Sequence, residues 1–127
     1  MKPIKTKRTP KKTPTSAVFE DIIQQFVDRI EPAMNKVARA KGRNNSEFCC
    51  VIGPTINPIH DDDPYTMNVV DRQELVYKLS SVDKAASDQI AQPLDPYMVR
   101  ITVFLKGVIF VKDVYFMPAP NSRGGTA

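Results

Sequence analysis

The segment from Tyr97 to Met117 constrains the fold of this chain more than any other. Two runs rich in β-branched and aromatic residues, YMVRITVFL and VIFVKDVYFM, flank the dipeptide Lys106–Gly107. A two-residue link containing glycine between such runs specifies a tight β-hairpin, because the turn demands backbone angles that glycine tolerates. Side chains alternate across a strand. Val99, Ile101, Val103 and Leu105 therefore share one face of the first strand, with Met98, Arg100, Thr102 and Phe104 opposite. On the second strand Ile109, Val111, Asp113, Tyr115 and Met117 alternate with Val108, Phe110, Lys112, Val114 and Phe116. Both faces of this strand are largely apolar, so both need cover. Helices are expected on one face. The other is left for a neighbouring subunit, the N-terminal arm or the long central loop.

Helical periodicity accounts for two further segments. Phe19, Ile22, Ile23, Phe26, Val27 and Ile30 recur at spacings of three and four after Ser16, a candidate helix cap followed by Glu20 and Asp21. Pro32 interrupts the stripe, which resumes with Met34, Val37, Ala38 and Ala40 and closes on Lys36, Arg39, Lys41 and Gly42. Either this helix kinks at Pro32 or a second one starts there; the kinked form is the expectation. Asp71 and Glu74 have capping-box spacing and precede Leu75, Leu79, Val82, Ala86 and Ile90. That spacing predicts a helix over 72–91, with Ser80–Ser81 as its weak point. FCCVI (48–52) reads as a buried strand and 66–70 as a short one. The expected fold is α+β, with an N-terminal helix kinked at Pro32 and a second helix packed on a small antiparallel sheet built around the C-terminal hairpin.

Size permits one such domain. With 127 residues, 42% hydrophobic and 25% charged, the chain divides into a disordered basic arm (1–15), a single α+β domain (16–118) and a flexible tail (119–127). No apolar stretch free of charge is long enough to span a membrane, and no apolar segment of signal-peptide type follows the N-terminal charges. No membrane association is expected. Cys49 and Cys50 are adjacent and so point to opposite faces of a strand, which disfavours a disulfide between them. Two free thiols place the protein in a reducing compartment, the cytoplasm or nucleus, or in a virion.

Charge is distributed unevenly. Lys2, Lys5, Lys7, Arg8, Lys11 and Lys12 supply +6 in twelve residues without an acid, whereas the formal net charge of the whole chain is +4. The body beyond the arm is therefore slightly acidic, and attraction to polyanions belongs to the arm. Thr9-Pro10-Lys11-Lys12 is similar to the Ser/Thr-Pro-Lys-Lys repeats of linker-histone tails, which lie in the minor groove of A/T-rich DNA. That resemblance covers four residues and implies phosphate and groove contacts by the lysines. Thr9-Pro10 and Thr13-Pro14 also have the form of proline-directed phosphorylation sites, where a phosphate would cut the positive charge. A nuclear-localisation signal fits KTKRTPKK equally well. Lys36, Arg39, Lys41 and Arg43 form a second basic cluster, which either complements the helix dipole or continues the footprint of the arm.

Catalytic patterns are missing. His60 with Asp61, Asp62 and Asp63 is the one grouping with metal-ligand chemistry, but consecutive residues converge poorly on one ion and the spacing matches no known loop. An acidic solvated loop is the expectation there, with no metal and no cofactor. Isolated glycines provide no phosphate-binding loop. The functional expectation is a non-enzymatic, nucleic-acid-associated accessory protein, viral or chromatin-like, whose arm contacts phosphates without reading sequence. Its alternative is an assembly subunit of an oligomer or virion whose arm and hairpin face pack on neighbouring copies.

Overall fold

The computed structural model of the chain describes residues 14–56 and 64–116. The six cations of the arm, Thr9, Thr13, His60, Asp61–Asp63 and the C-terminal tail lie outside the described residues. The elements are α1 (Ser16–Lys41), a short 3-10 turn (Asn45–Glu47), β1 (Phe48–Pro54), β2 (Tyr65–Asp71), α2 (Arg72–Leu79), α3 (Lys84–Ala91), β3 (Met98–Leu105) and β4 (Val108–Tyr115). The four strands form one sheet in the order β2-β1-β3-β4. The fold is α+β, as its sequence pattern implies.

α1 remains one helix through Pro32. Pro32 is exposed, so the carbonyl that loses its amide partner lies on the solvent side. Its neighbours Ile30 and Met34 are fully buried and hold the helix on the sheet. Thr15, not Ser16, occupies the cap position, and its carbonyl accepts the Val18 N–H at 3.0 Å. At the other end Gly42 adopts φ 67°, and the Arg43 N–H closes back on the Ala38 carbonyl at 2.8 Å.

The second helical segment parts at its weak point, Ser80–Ser81, into two helices. α2 ends at Leu79, and Asp83 starts α3 by accepting the Ala86 N–H at 3.1 Å. Val82, which fits the apolar stripe, sits in the link and is exposed. The break decides the polarity of the sheet. β2 delivers the chain to the end where β1 begins, since Asp71 pairs with Phe48. One unbroken helix would carry it to the far end, and β3 would return antiparallel to β1. Two helices make an out-and-back traverse, so β3 starts beside the beginning of β1. The central β1–β3 pair is therefore parallel, with Cys49 beside Arg100 and Ile52 beside Val103. The sheet is mixed, with antiparallel β1–β2 and β3–β4 pairs flanking that centre.

Helices cover both faces of the sheet. Phe19, Ile22, Ile23, Phe26, Ile30 and Met34 of α1 pack on Cys50, Ile52, Val99, Ile101 and Val103, and Phe19 stacks on Phe110 with ring centroids 5.0 Å apart. Leu79, Ala86 and Ile90 form a smaller cluster on the opposite face with Phe104, Ile109 and Val111. The apolar second face of the hairpin thus meets α2 and α3, where a subunit, the arm or the loop is the sequence-based expectation. Leu105 pairs with Val108 across the turn, and Lys106 and Gly107 take φ 48° and 80°, the two positive angles this hairpin type requires.

One buried cation joins the smaller layer to the sheet. Arg100, 3% exposed, lies on β3 and grips Asp113 of β4 with two hydrogen bonds, at 2.8 and 2.9 Å. Its third nitrogen donates to the carbonyls of Ile90 and Gln92 at 2.6 and 2.8 Å. Arg72 approaches the same helix end, donating to Ile90 and Ala91 and to the Ser46 carbonyl at 2.9 Å. α3 has no basic residue in its own last turn, so these two arginines satisfy its terminal carbonyls. Arg100→Ala is expected to lower stability by about 3–5 kcal/mol, because it strands the Asp113 carboxylate and the carbonyls together. Urea unfolding followed by circular dichroism measures the loss.

Candidate functional site

Of the basic residues singled out in the sequence, the described structure places Lys36, Arg39, Lys41 and Arg43 at the C-terminal end of α1, in different surroundings. Three helical residues advance 300°, so Lys36 and Arg39 are neighbours on the outer face of α1. Lys41, the last residue of α1, is rotated from them toward the core side of the helix and is exposed. None of these three has a carboxylate within ion-pair distance among the described residues.

Arg43 has a different role. Its Nε donates to Glu47 Oε1 and its Nη2 to Asp71 Oδ2, both at 2.7 Å, and the guanidinium lies 4.7 Å from the centre of the Phe48 ring. Asp71 Oδ1 meanwhile caps α2, accepting from the Gln73 and Glu74 backbone at 3.0 and 3.3 Å. Arg43 therefore fastens the α1–β1 connection to the β2–α2 junction. Its hydrogen bonds raise its own pKa and hold Glu47 and Asp71 below the usual carboxylate range; for Glu47 the Asn44 N–H adds to the effect. These lowered values stabilise the fold above the ordinary carboxylate range, and the contribution disappears as pH falls through the folded-state values. Arg43→Ala is accordingly expected to lower the urea midpoint at pH 7, with the difference from wild type narrowing at pH 3. A titration series of unfolding curves checks this.

Arg39 and Arg43 line a shallow groove of about 390 Å³ at the C-terminal end of α1. Asn35 comes from α1, Asn44 and Asn45 from the connection to β1, and Pro96 and Tyr97 from the loop entering β3. Tyr97 is 46% exposed. Asn45 Nδ2 donates to Asn35 Oδ1 at 2.7 Å, whereas Asn45 Oδ1 is buried without a partner among the described residues. The groove combines a guanidinium free of carboxylates, an exposed aromatic ring and amide groups. Such a set can contact a phosphate, stack on a planar ring and hydrogen-bond a base edge. Sequence reasoning found the arginines and missed Tyr97 and the asparagines. Tyr97 and Arg39 are 58 positions apart, and the parallel β1–β3 pairing brings the loop before β3 to the same end of the sheet as the connection from α1 to β1.

The adjacent cysteines are both fully buried, on opposite faces, as strand geometry demands. Cys50 joins the α1 layer, while Cys49 lies 2.9 Å from Thr102 Oγ1. Burial pushes their pKa values up to about 11 for Cys49 and about 12 for Cys50. Both thiols stay protonated at neutral pH, which suits packing and not nucleophilic chemistry. Neither is expected to react with a water-soluble disulfide reagent at pH 8 in the native protein, and both should react after denaturation. Mass spectrometry counts the modified thiols.

Among the described residues no group of three or more His, Cys, Asp or Glu side chains is placed to hold a metal ion, and no helix is long and apolar enough to cross a membrane. No protein-family model matches the chain, and no curated protein or solved structure is significantly similar to it.

Proposed function

We propose that this is a non-enzymatic nucleic-acid-associated accessory protein with two separate contact regions. The observation that carries the reading is the groove at the end of α1, lined by exposed Arg39, which has no carboxylate partner among the described residues, and by exposed Tyr97. The six cations of residues 2–12 add a sequence-independent attraction to phosphates. A slightly acidic body beneath such an arm confines the attraction to defined regions.

The two regions do not form a continuous footprint at their bases. Residues 16 to 39 of one helix span about 35 Å, close to one turn of a B-form duplex. A strand bound along α1 would meet the groove near one end and the start of the helix, to which the basic segment is joined, at the other. Tyr97 favours single-stranded nucleic acid at the groove, because a base must leave its stack to lie on the ring.

Fluorescence anisotropy with single-stranded and duplex oligonucleotides across a salt series tests this. Deleting residues 2–12 should reduce the log–log salt slope by up to about 5. Tyr97→Ala should weaken single-strand binding by about 1–3 kcal/mol, with duplex binding unchanged. If the full chain shows no salt-sensitive binding to either probe, the proposal fails.

A further inference from the structure

The open edge of β4 carries an inference independent of nucleic acid. β4 is the last strand of the sheet and runs eight residues in unbroken register with β3, without a proline or a bulge. In a two-residue hairpin the closing pair, here Leu105 and Val108, exchanges hydrogen bonds. Alternate residues follow suit, so Phe110, Lys112 and Val114 also bond to β3. The N–H and C=O groups of Ile109, Val111, Asp113 and Tyr115 therefore point away from the sheet. None of them has a hydrogen-bond partner among the described residues. Proteins ordinarily blunt such an edge with a proline, a bulge or an unpaired lysine. Its one lysine, Lys112, is instead tied to Glu20 of α1 at 2.8 Å.

We propose that β4 pairs antiparallel with β4 of a second copy, joining two four-stranded sheets into one of eight strands about a two-fold axis at Val111. The strand is self-complementary about that point. Val111 faces its own copy, Ile109 faces Asp113 of the second copy, Phe110 faces Lys112, and Val108 faces Val114. About six backbone hydrogen bonds form, satisfying the outward groups of residues 109, 111 and 113 on both strands. Like charges select this register. Moving the axis to Lys112 sets two lysines opposite each other at the closest side-chain spacing, and moving it to Asp113 sets two aspartates opposite. A two-fold axis perpendicular to the sheet keeps both α1 helices on the same face. Because Phe19 and Glu20 sit over Phe110 and Lys112, the first turns of the two helices flank the axis.

Sedimentation velocity of the full chain over a concentration series should resolve a species of twice 14.2 kDa. Val111→Pro removes an amide that β3 does not use and should yield a monomer with native circular dichroism. Val111→Cys should be joined to itself by a short bis-thiol cross-linker, because the Cβ atoms of a hydrogen-bonded pair lie about 5.5 Å apart, whereas Ile109→Cys, which faces residue 113 of the second copy, should not. If Val111→Pro fails to fold, the cysteine pair decides the matter alone. A monomer at every concentration overturns the proposal, as does a dimer in which Val111→Cys does not cross-link. Hydrogen exchange covers the remaining case: protection of the residue 109, 111 and 113 amides in a monomer, lost on deleting residues 2–12, would give the edge to the arm and refute self-pairing.

Discussion

The Arg100 guanidinium is where the two layers and the sheet depend on one another. Moving a cation out of water is costly, and the cost is offset only as its donors find acceptors; four of the five Arg100 N–H groups do so. Here the acceptors come from β4, through Asp113, and from the C-terminal end of α3, through Ile90 and Gln92. None can shift without disturbing the others. α3 has eight residues, too few to be stable alone, and contributes only Ala86 and Ile90 as buried apolar side chains. Its position on the sheet rests on the arginines that cap it as much as on hydrophobic contact. The small layer is thus fixed by polar geometry, whereas the α1 layer is fixed by a continuous apolar stripe.

That difference explains what was legible in the sequence. The α1 stripe, the hairpin and the FCCVI strand are repeating patterns whose period announces the element. Gly107 and Asp71 occupy the turn and the cap that their chemistry prescribes. Ser80–Ser81 marked the weak point between α2 and α3, but not that the chain turns back there, because Leu75, Leu79, Val82, Ala86 and Ile90 keep helical spacing across it. Asp83 is a good cap, but its competition with a continuing helix is decided by whether the chain gains from turning back. The gain lies in Arg100 and Arg72 meeting the far end of α3, contacts 10 and 18 residues away in sequence. An arginine inside an apolar strand reads as an argument against a membrane span; its partners are tertiary.

The candidate site was half legible for the same reason. Cations in the last turn of a helix are visible as a local cluster, but their roles diverge with rotation about the axis and with distant carboxylates. Arg43 is drawn into the framework by Asp71, 28 residues away, while Arg39, four residues before it, stays open. Tyr97 follows Pro96 in a loop whose sequence carries no sign of a partner. Its place beside Arg39 is a consequence of the parallel β1–β3 pair, itself a consequence of the helix break.

Length is the remaining constraint, and it acts through α1. A helix of 26 residues is about 39 Å long, longer than any strand beneath it. Its first turn lies over the β4 edge, since Phe19 and Glu20 meet Phe110 and Lys112. Beyond its last turn, Arg43 reaches Asp71 on β2, so the helix crosses the sheet from one edge strand to the other. The point where the basic segment joins and the groove of Arg39 and Tyr97 are consequently held apart by a rigid rod. Pairing through β4 would bring two such junctions together at the centre and place two grooves at the extremes. The two α1 starts and the two grooves would then be separated by distances set by the helix and not by any loop.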